Sequence, residues 1–393
     1  MKPSPNTRTS HSHMPPNVAS DPAVDGAARA SLIDLARVFF RLGVTAFGGP
    51  AVHIAMFEAE VVRRRGWLTH AELLDMVGAA NLIPGPNSTE VAIHVGRKVA
   101  GGRGLVVAGA CFILPAAAIT LALAWIYQRF GRLPAVAGIL IAVKPIVLAV
   151  VLQAIWELAR KAVKTGTLAA IGVAALVATA LGVHELVVLL GAGVLAMGVV
   201  RRSGAAAVLI SAGLAPATAA AAPPASAVFL SFAKIGSVLF GSGYVLVAFL
   251  RTEVVTRLKW LTEAQLLDAV AAGQITPGPV FTTATFVGYL VAGFAGAAAA
   301  TLGIFLPAFV FVALSAPLVP RLRASPLTGR LLDGVNVASL ALMAVVTVQL
   351  GRGALVGPLT VALFVISAVA LVRFKISSTW LVLGGATVGL LIR

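Results

Sequence analysis

The residues best placed for chemistry stand at two interruptions of apolar sequence, 193 positions apart. The first reads Asn81-Leu-Ile-Pro-Gly-Pro-Asn-Ser-Thr-Glu90, the second Gln274-Ile-Thr-Pro-Gly-Pro-Val-Phe-Thr-Thr283. Pro84, Pro86, Pro277 and Pro279 have no backbone donor, and Gly85 and Gly278 admit a sharp turn, so a helix must break there. Asn87, Ser88 and Thr89 are good N-cap types, which lets a new half-helix start and run through His94. Thr282, Thr283 and Thr285 repeat the logic in the second copy. The free N–H groups and positive dipole end of such a half-helix point at the break and form a ready anion site. Asn81, Asn87, Ser88, Gln274 and Thr282 add side-chain donors. Broken backbone at membrane depth is tolerated only where it is buried or lines a wet cavity. The competing reading, a kink that only shapes packing, weakens when the motif recurs at an equivalent position.

A second pair of interruptions, Phe47-Gly48-Gly49-Pro50 and Phe240-Gly241-Ser242-Gly243, precedes the first pair. Its glycines (Gly48, Gly49, Gly241, Gly243) let backbones approach closely and join the candidate binding set. Arg41 and Lys234 lie upstream at equivalent positions and supply positive charge, with snorkelling to the interface as the competing reading. Lys144, nine residues into an apolar run, is a secondary anion contact, because a lysine there is costly unless it faces a cavity. Glu60, Glu90 and Glu253 are candidates for proton coupling. Ion pairing with Arg63, Arg64 and Arg257 competes with that role for Glu60 and Glu253. His53 and His94 have no histidine counterparts and read as packed side chains. No cofactor or metal site is expected: His11 and His13 stand in a polar tail, and Cys111 is the single cysteine.

The elements that position these residues are duplicated. Glu60-Val-Val, Trp67-Leu-Thr and Leu73-Leu-Asp75 recur as Glu253-Val-Val, Trp260-Leu-Thr and Leu266-Leu-Asp268. One residue then drops out, and Gly96, Gly101, Gly104 and Pro115 meet Gly288, Gly293, Gly296 and Pro307 at an offset of 192. The chain has 393 residues, is 59% hydrophobic and only 11% charged. A soluble protein could not solvate such a surface, so an all-α polytopic membrane protein is expected. Its organisation reads as a disordered tail over 1–30, a first repeat over 31–202, an Ala/Pro-rich linker or extra span over 203–227, and a second repeat over 228–393. Each repeat holds five to six transmembrane segments. Apolar runs are expected at about 35–56, 76–95, 105–126, 135–157, 167–183 and 186–200, with six equivalents in the second half. Thr69 with Glu72, and Thr262 with Gln265, read as capping boxes.

The net charge of +16 is explained by basic loops between apolar runs, so no nucleic-acid partner is expected; the lipid bilayer is. If every run crosses, first-half basic residues favour loops after even-numbered runs, eight against five, and second-half ones favour odd-numbered loops, eight against two. That reversal points to inverted repeats. No nucleotide-binding loop, zinc-protease helix or serine elbow is present, which excludes an ATP-driven pump and a membrane hydrolase.

The ordered set of Phe-Gly-Gly-Pro, Trp-Leu-Thr and Pro-Gly-Pro stretches, carried in both halves, resembles the chromate ion transporter family in its long two-domain form. The resemblance covers nearly the whole chain from about residue 33. It implies export of chromate across the bacterial inner membrane, driven by the proton motive force, with sulfate as a structural analogue and a link to chromate resistance. The second repeat departs from the pattern at Gly241-Ser242-Gly243, which lacks the proline of the first. Alternatives are a sulfate or other oxyanion carrier and a passive anion channel; a reductase would need a redox cofactor. The abundant small residues permit a homodimer.

Overall fold

Glycine and proline placement decides where the apolar runs become helices and where they stop. In the computed structural model, which describes residues 31–131, 133–198, 223–240, 243–315 and 325–391, no strand occurs among the described residues. Helix α1 (Leu32–Thr45) starts at Ser31, whose hydroxyl accepts the Asp34 N–H at 3.0 Å, and ends before Phe47-Gly48-Gly49. Pro50 opens α2 (Pro50–Phe57) at the position where a missing N–H costs nothing. A π-helical turn (Glu58–Arg64) follows, and α3 (His70–Ala80) begins with the expected Thr69–Glu72 capping box. The second repeat matches with α8 (Ala225–Val238), α9 (Leu246–Leu250), a π-helical turn (Arg251–Arg257) and α10 (Glu263–Ile275), capped by Thr262 and Gln265. The runs expected at 35–56 and 76–95 are therefore not single rods. Each is split at its Gly-Pro or Pro-Gly-Pro break, and a loop count that lets every run cross does not apply to them.

Helix α4 (Asn87–Phe130) has 44 residues, and a straight rod of that length would span about 66 Å, twice a bilayer core. It doubles back instead. Ala100 and Gly101 leave helical geometry, with Gly101 at φ +64°, and a Cβ placed on Gly96 would collide with the Gly104 carbonyl and the Ala108 side chain. Residues 87–99 are thus a short arm folded against the long arm 102–130. Helix α11 (Thr283–Ser315) repeats the hairpin at Ala292–Gly293, φ +62°, with Gly288 against Gly296. The three matched glycines of each repeat are the material of this close turn.

The long arms reveal the symmetry. Leu105 of α4 clusters with Val312 of α11, and Phe309 reaches Gly109, whereas Tyr127 at the far end of α4 packs on Phe286 beside the start of the second long arm. Equivalent arms therefore run antiparallel, which requires a two-fold axis perpendicular to them. With the arms crossing a bilayer, that axis lies in the membrane plane and the repeats are inverted.

The remaining helices exchange partners. Helix α5 (Pro134–Ala162) packs against α13 (Pro358–Phe374) and α14 (Ser378–Leu391), and its counterpart α12 (Pro326–Ala354) packs against α6 (Gly166–Ala180) and α7 (Glu185–Ala196). Each repeat's long helix is covered by the other repeat's terminal hairpin through small residues: Gly334 meets Ala192, and Gly389 meets Gly138. Leu114, Leu302, Val348 and Ile366 point outward and are 60 to 64% exposed, as a lipid-facing surface requires. The protein is a multi-pass membrane protein of two repeats. The tail and most of the 203–227 stretch lie outside the described residues; Ala225 at its end already belongs to α8.

Candidate functional site

All four breaks meet at one place. The Gly85 N–H donates to Leu239 O, and the Gly278 N–H donates to Ala46 O, both at 2.8 Å. Leu239 and Ala46 are equivalent residues that end α8 and α1, so each Pro-Gly-Pro turn satisfies the open end of the other repeat's first helix. Gly85 holds φ +144° and Gly278 φ +84°, a region that side chains disfavour.

Between the turns lies a cavity of about 10 Å³, walled by the first residues of four helical segments. Pro50 comes from α2, Asn87 and Ser88 from α4, Gly243 from the turn entering α9, and Val280 and Phe281 from the turn entering α11; His53, Pro86 and Pro279 close it. No side chain caps the start of α2, α4 or the turn at Val280. In α4 the first helical bond runs from the Glu90 N–H to Pro86 O, so the N–H groups of Asn87, Ser88 and Thr89 have no acceptor within the helix. Several positive dipole ends thus face one point, and among the described residues no lysine or arginine lines it.

His53 ties this wall together. Its Nε2 lies 3.1 Å from Ala46 O, which can only accept, so Nε2 carries the proton and Nδ1 accepts from the Ser88 hydroxyl at 3.1 Å. The ring is 1% exposed and packs edge-on against Phe112. Sequence reading took His53 for a packed side chain. Its position in the first break was visible, but the partner carbonyl, 7 residues away across a non-helical link, was not.

The other expected residues divide into two groups. Pro86, Asn87, Ser88, Gly243 and Pro279 line the cavity. Gly49 caps α2 beside it, and Gly48 turns into it at φ +117°. The Asn87 amide donates to Asn81 Oδ1 at 2.7 Å, so Asn81 orients Asn87 from the rim. The Thr282 hydroxyl is turned away, donating to Pro279 O at 2.9 Å and accepting from Thr120. Gln274 is buried with its amide nitrogen unpartnered. Gly241 lies outside the described residues. Glu90, one turn into the short arm, is fully buried against the Pro-Gly-Pro turn, and neither carboxylate oxygen has a hydrogen-bond partner among the described residues. His94 sits one turn further along with Nε2 also unpartnered.

The remaining charges are mostly committed elsewhere. Glu253 receives Lys234 at 3.1 Å and also pairs with Arg257. Glu60 receives Arg65 at 2.9 Å and Arg64 at 3.3 Å. Burial pushes both carboxyls up, but the bonds from these cations outweigh it and hold both below the usual carboxylate range. Lys144 has a carboxylate partner in Asp268, at 3.2 Å. Arg41 is exposed on α1. Sequence reading passed over Asp268, although its recurrence as Asp75 and Asp268 was a usable signal.

A profile described as chromate transporter matches residues 33–197 and 226–390, one match for each repeat. The chain is 32% identical over 392 residues to the chromate transport protein of Cupriavidus metallidurans, covering 97% of this chain and 98% of that protein. It is 32% identical to the probable chromate transport protein of Synechococcus elongatus, with 83% and 86% covered, and 31% identical to the chromate transport protein of Pseudomonas aeruginosa, with 80% of each covered. No solved structure matches. The chain belongs to the chromate transporter family.

Proposed function

We propose that the protein is a secondary carrier, not an enzyme, that exports chromate across the bacterial inner membrane using the proton motive force. The observation that carries this reading is the convergence of four helix starts on one small cavity between the repeats. A tetrahedral dianion would be bound by the N–H groups of Asn87, Ser88 and Thr89, by the Asn87 and Ser88 side chains, and by the dipole ends entering α2, α9 and α11. Arg41 and Lys234 contribute at longer range, Asn81 orients Asn87, and the Gln274 amide is a further donor. Fixed dipoles in a dry site hold an anion without a mobile counter-ion that would have to be carried along.

The cavity has room for about one water molecule, less than a tetrahedral oxyanion needs. Substrate entry requires the repeats to part at the Gly85–Leu239 and Gly278–Ala46 bonds. Glu90 is the nearest buried acid behind the turn. An ionised carboxylate without a partner there costs several kcal/mol, so the group must either hold a proton or acquire a donor when the turn moves. That links proton uptake to the same turn that gates the anion.

The cavity wall has no feature that separates chromate from sulfate, which favours sulfate as a competing substrate. Uptake of chromate into inverted membrane vesicles, with and without an imposed pH gradient and excess sulfate, tests the reading. Gradient-dependent uptake above empty vesicles supports it. Flux that ignores the gradient and shows no counterflow would indicate a passive channel.

A further inference from the structure

A second polar constellation lies away from the cavity and joins the two repeats. Asp268, on α10 of the second repeat, is 4% exposed. Two side chains of the first repeat reach it. The Tyr127 hydroxyl donates to Oδ2 at 2.9 Å, and Lys144 Nζ stands 3.2 Å from Oδ1. The lysine contact is off hydrogen-bond geometry, so Oδ1 has a counter-charge but no hydrogen-bond donor. Beside Tyr127 opens a cavity of about 300 Å³, walled also by Gln128, Gly131, Gln265 and Leu290. It has room for several waters and reaches the end of α4 and the first turn of α10. A carboxylate shut inside the protein is thus one tyrosine hydroxyl away from a wet space.

Among the described residues, the other charges on neighbouring elements are paired or stand at helix ends. On α10 itself Glu263 pairs with Arg251, and in the preceding turn Glu253 pairs with Arg257 and Lys234. Helix α14 carries no titratable side chain. On α12 Asp333 pairs with Lys164, while Arg330 and Arg352 stand near its ends. Tyr289 of α11 packs on Phe294. Arg129 of α4 and Glu157, Arg160 and Lys161 of α5 are exposed toward the ends of their helices. Lys144 and Tyr127 are the titratable groups that reach Asp268.

We propose that Asp268 is a proton-exchange site, reached from the cavity through Tyr127, and that its protonation frees Lys144 and loosens the contact between repeats. The step is a bare proton transfer. A proton from cavity water adds to the carboxylate, the Tyr127 O–H turns to accept from the new acid, and Lys144 keeps its three protons but loses its counter-charge. An unpaired ammonium inside a membrane protein is costly. Lys144 therefore becomes a charge that an anion passing between the repeats can satisfy. This last consequence rests on the oxyanion-carrier reading; proton exchange at Asp268 does not.

The test uses the full chain in detergent, followed by pH-difference infrared spectroscopy. The expected result is a protonated-carboxyl band that appears on acidification, vanishes in Asp268→Asn and persists in Glu90→Gln. A band pattern unchanged in Asp268→Asn overturns the proposal. Where Asp268→Asn fails to assemble, Lys144→Gln keeps the carboxyl and must displace the band's titration midpoint; an unmoved midpoint overturns it. In proteoliposomes, Asp268→Asn is expected to keep chromate counterflow within about twofold and to lose gradient-driven accumulation about tenfold. Equal loss of both, or rescue of accumulation by Lys144→Asp with Asp268→Lys, would show a structural ion pair instead. If the band belongs to Asp268 but wild-type protein moves neither chromate nor sulfate, the carrier reading fails and the proton site stands.

Discussion

The two Pro-Gly-Pro turns share a backbone and differ in surface. Gly85 and Gly278 both hold positive φ, and both donate to the end of the other repeat's first helix. Past the turn, the first repeat presents Asn87, Ser88 and Glu90 where the second presents Val280, Phe281 and Thr283, and His53 faces the position that Leu246 fills in the second copy. The frame is symmetric and the side-chain chemistry is one-sided. Duplication repeats the frame of helix ends; the polar side chains that line the cavity, His53, Asn87 and Ser88, come from one copy.

The largest effects should come from breaking the frame, and they should be symmetric. Gly85→Ala would press on Glu90, and Gly278→Ala on Ala116. Each also carries about 1–3 kcal/mol of backbone strain. Thermal unfolding in detergent should show both destabilised, and proteoliposome counterflow should fall about tenfold or more in both. Gly101→Ala, also at positive φ but with open space around it, should lose about 1–3 kcal/mol and keep counterflow. A silent Gly278→Ala beside a dead Gly85→Ala would break the symmetric-frame account.

Next comes the chemistry, which should be one-sided. Ser88→Ala leaves His53 Nδ1 without its donor, at about 1–3 kcal/mol, and should raise the KM for chromate about tenfold. Thr282→Val removes a hydroxyl bonded away from the cavity and should leave KM unchanged, with a loss of about 1 kcal/mol in stability. Equal KM effects from the two would contradict one-sided recognition.

Smaller differences separate the cations and the interfacial carboxylates. Lys234→Ala removes one of two partners of the buried Glu253 and should lower the melting temperature, whereas Arg41→Ala should leave it in place and only raise KM. Glu253 is held below the usual carboxylate range, so its stabilisation is fully present above the unfolded value of 4.5 and fades as pH falls through the lower folded value. Glu60 behaves the same way. Melting curves from pH 7 downward should therefore decline on the acid side for wild type and decline less for Glu253→Gln. An identical acid limb in the two proteins would remove Glu253 from the account.

Much of this arrangement was legible in the sequence because its causes are local. Proline and glycine dictate the breaks, Thr69 and Thr262 the caps, and the matched glycine triplets announced a recurring feature. That feature was a hairpin and not a crossing, because Gly96 and Gly104 constrain the chain only once they are seen face to face. Long-range pairing was less visible. Lys144 looked like a lone cation, since nothing near it in sequence reveals Asp268 in the other repeat. Exchange of terminal hairpins between repeats has no local signature either, because α6, α7, α13 and α14 are apolar on all sides. The loop-charge argument for inversion assumed that every run crosses, which the split runs do not bear out; the antiparallel long arms carry inversion instead.

The central claim is that helix starts from both repeats, with Asn87 and Ser88 of the first, hold the anion. Chromate counterflow in proteoliposomes containing Asn87→Ala/Ser88→Ala, beside wild type and Thr282→Val, tests it most directly. The account predicts a KM raised well over tenfold in the double variant, with maximal flux changed far less and Thr282→Val near wild type. A double variant with wild-type KM would place the anion elsewhere and contradict the account.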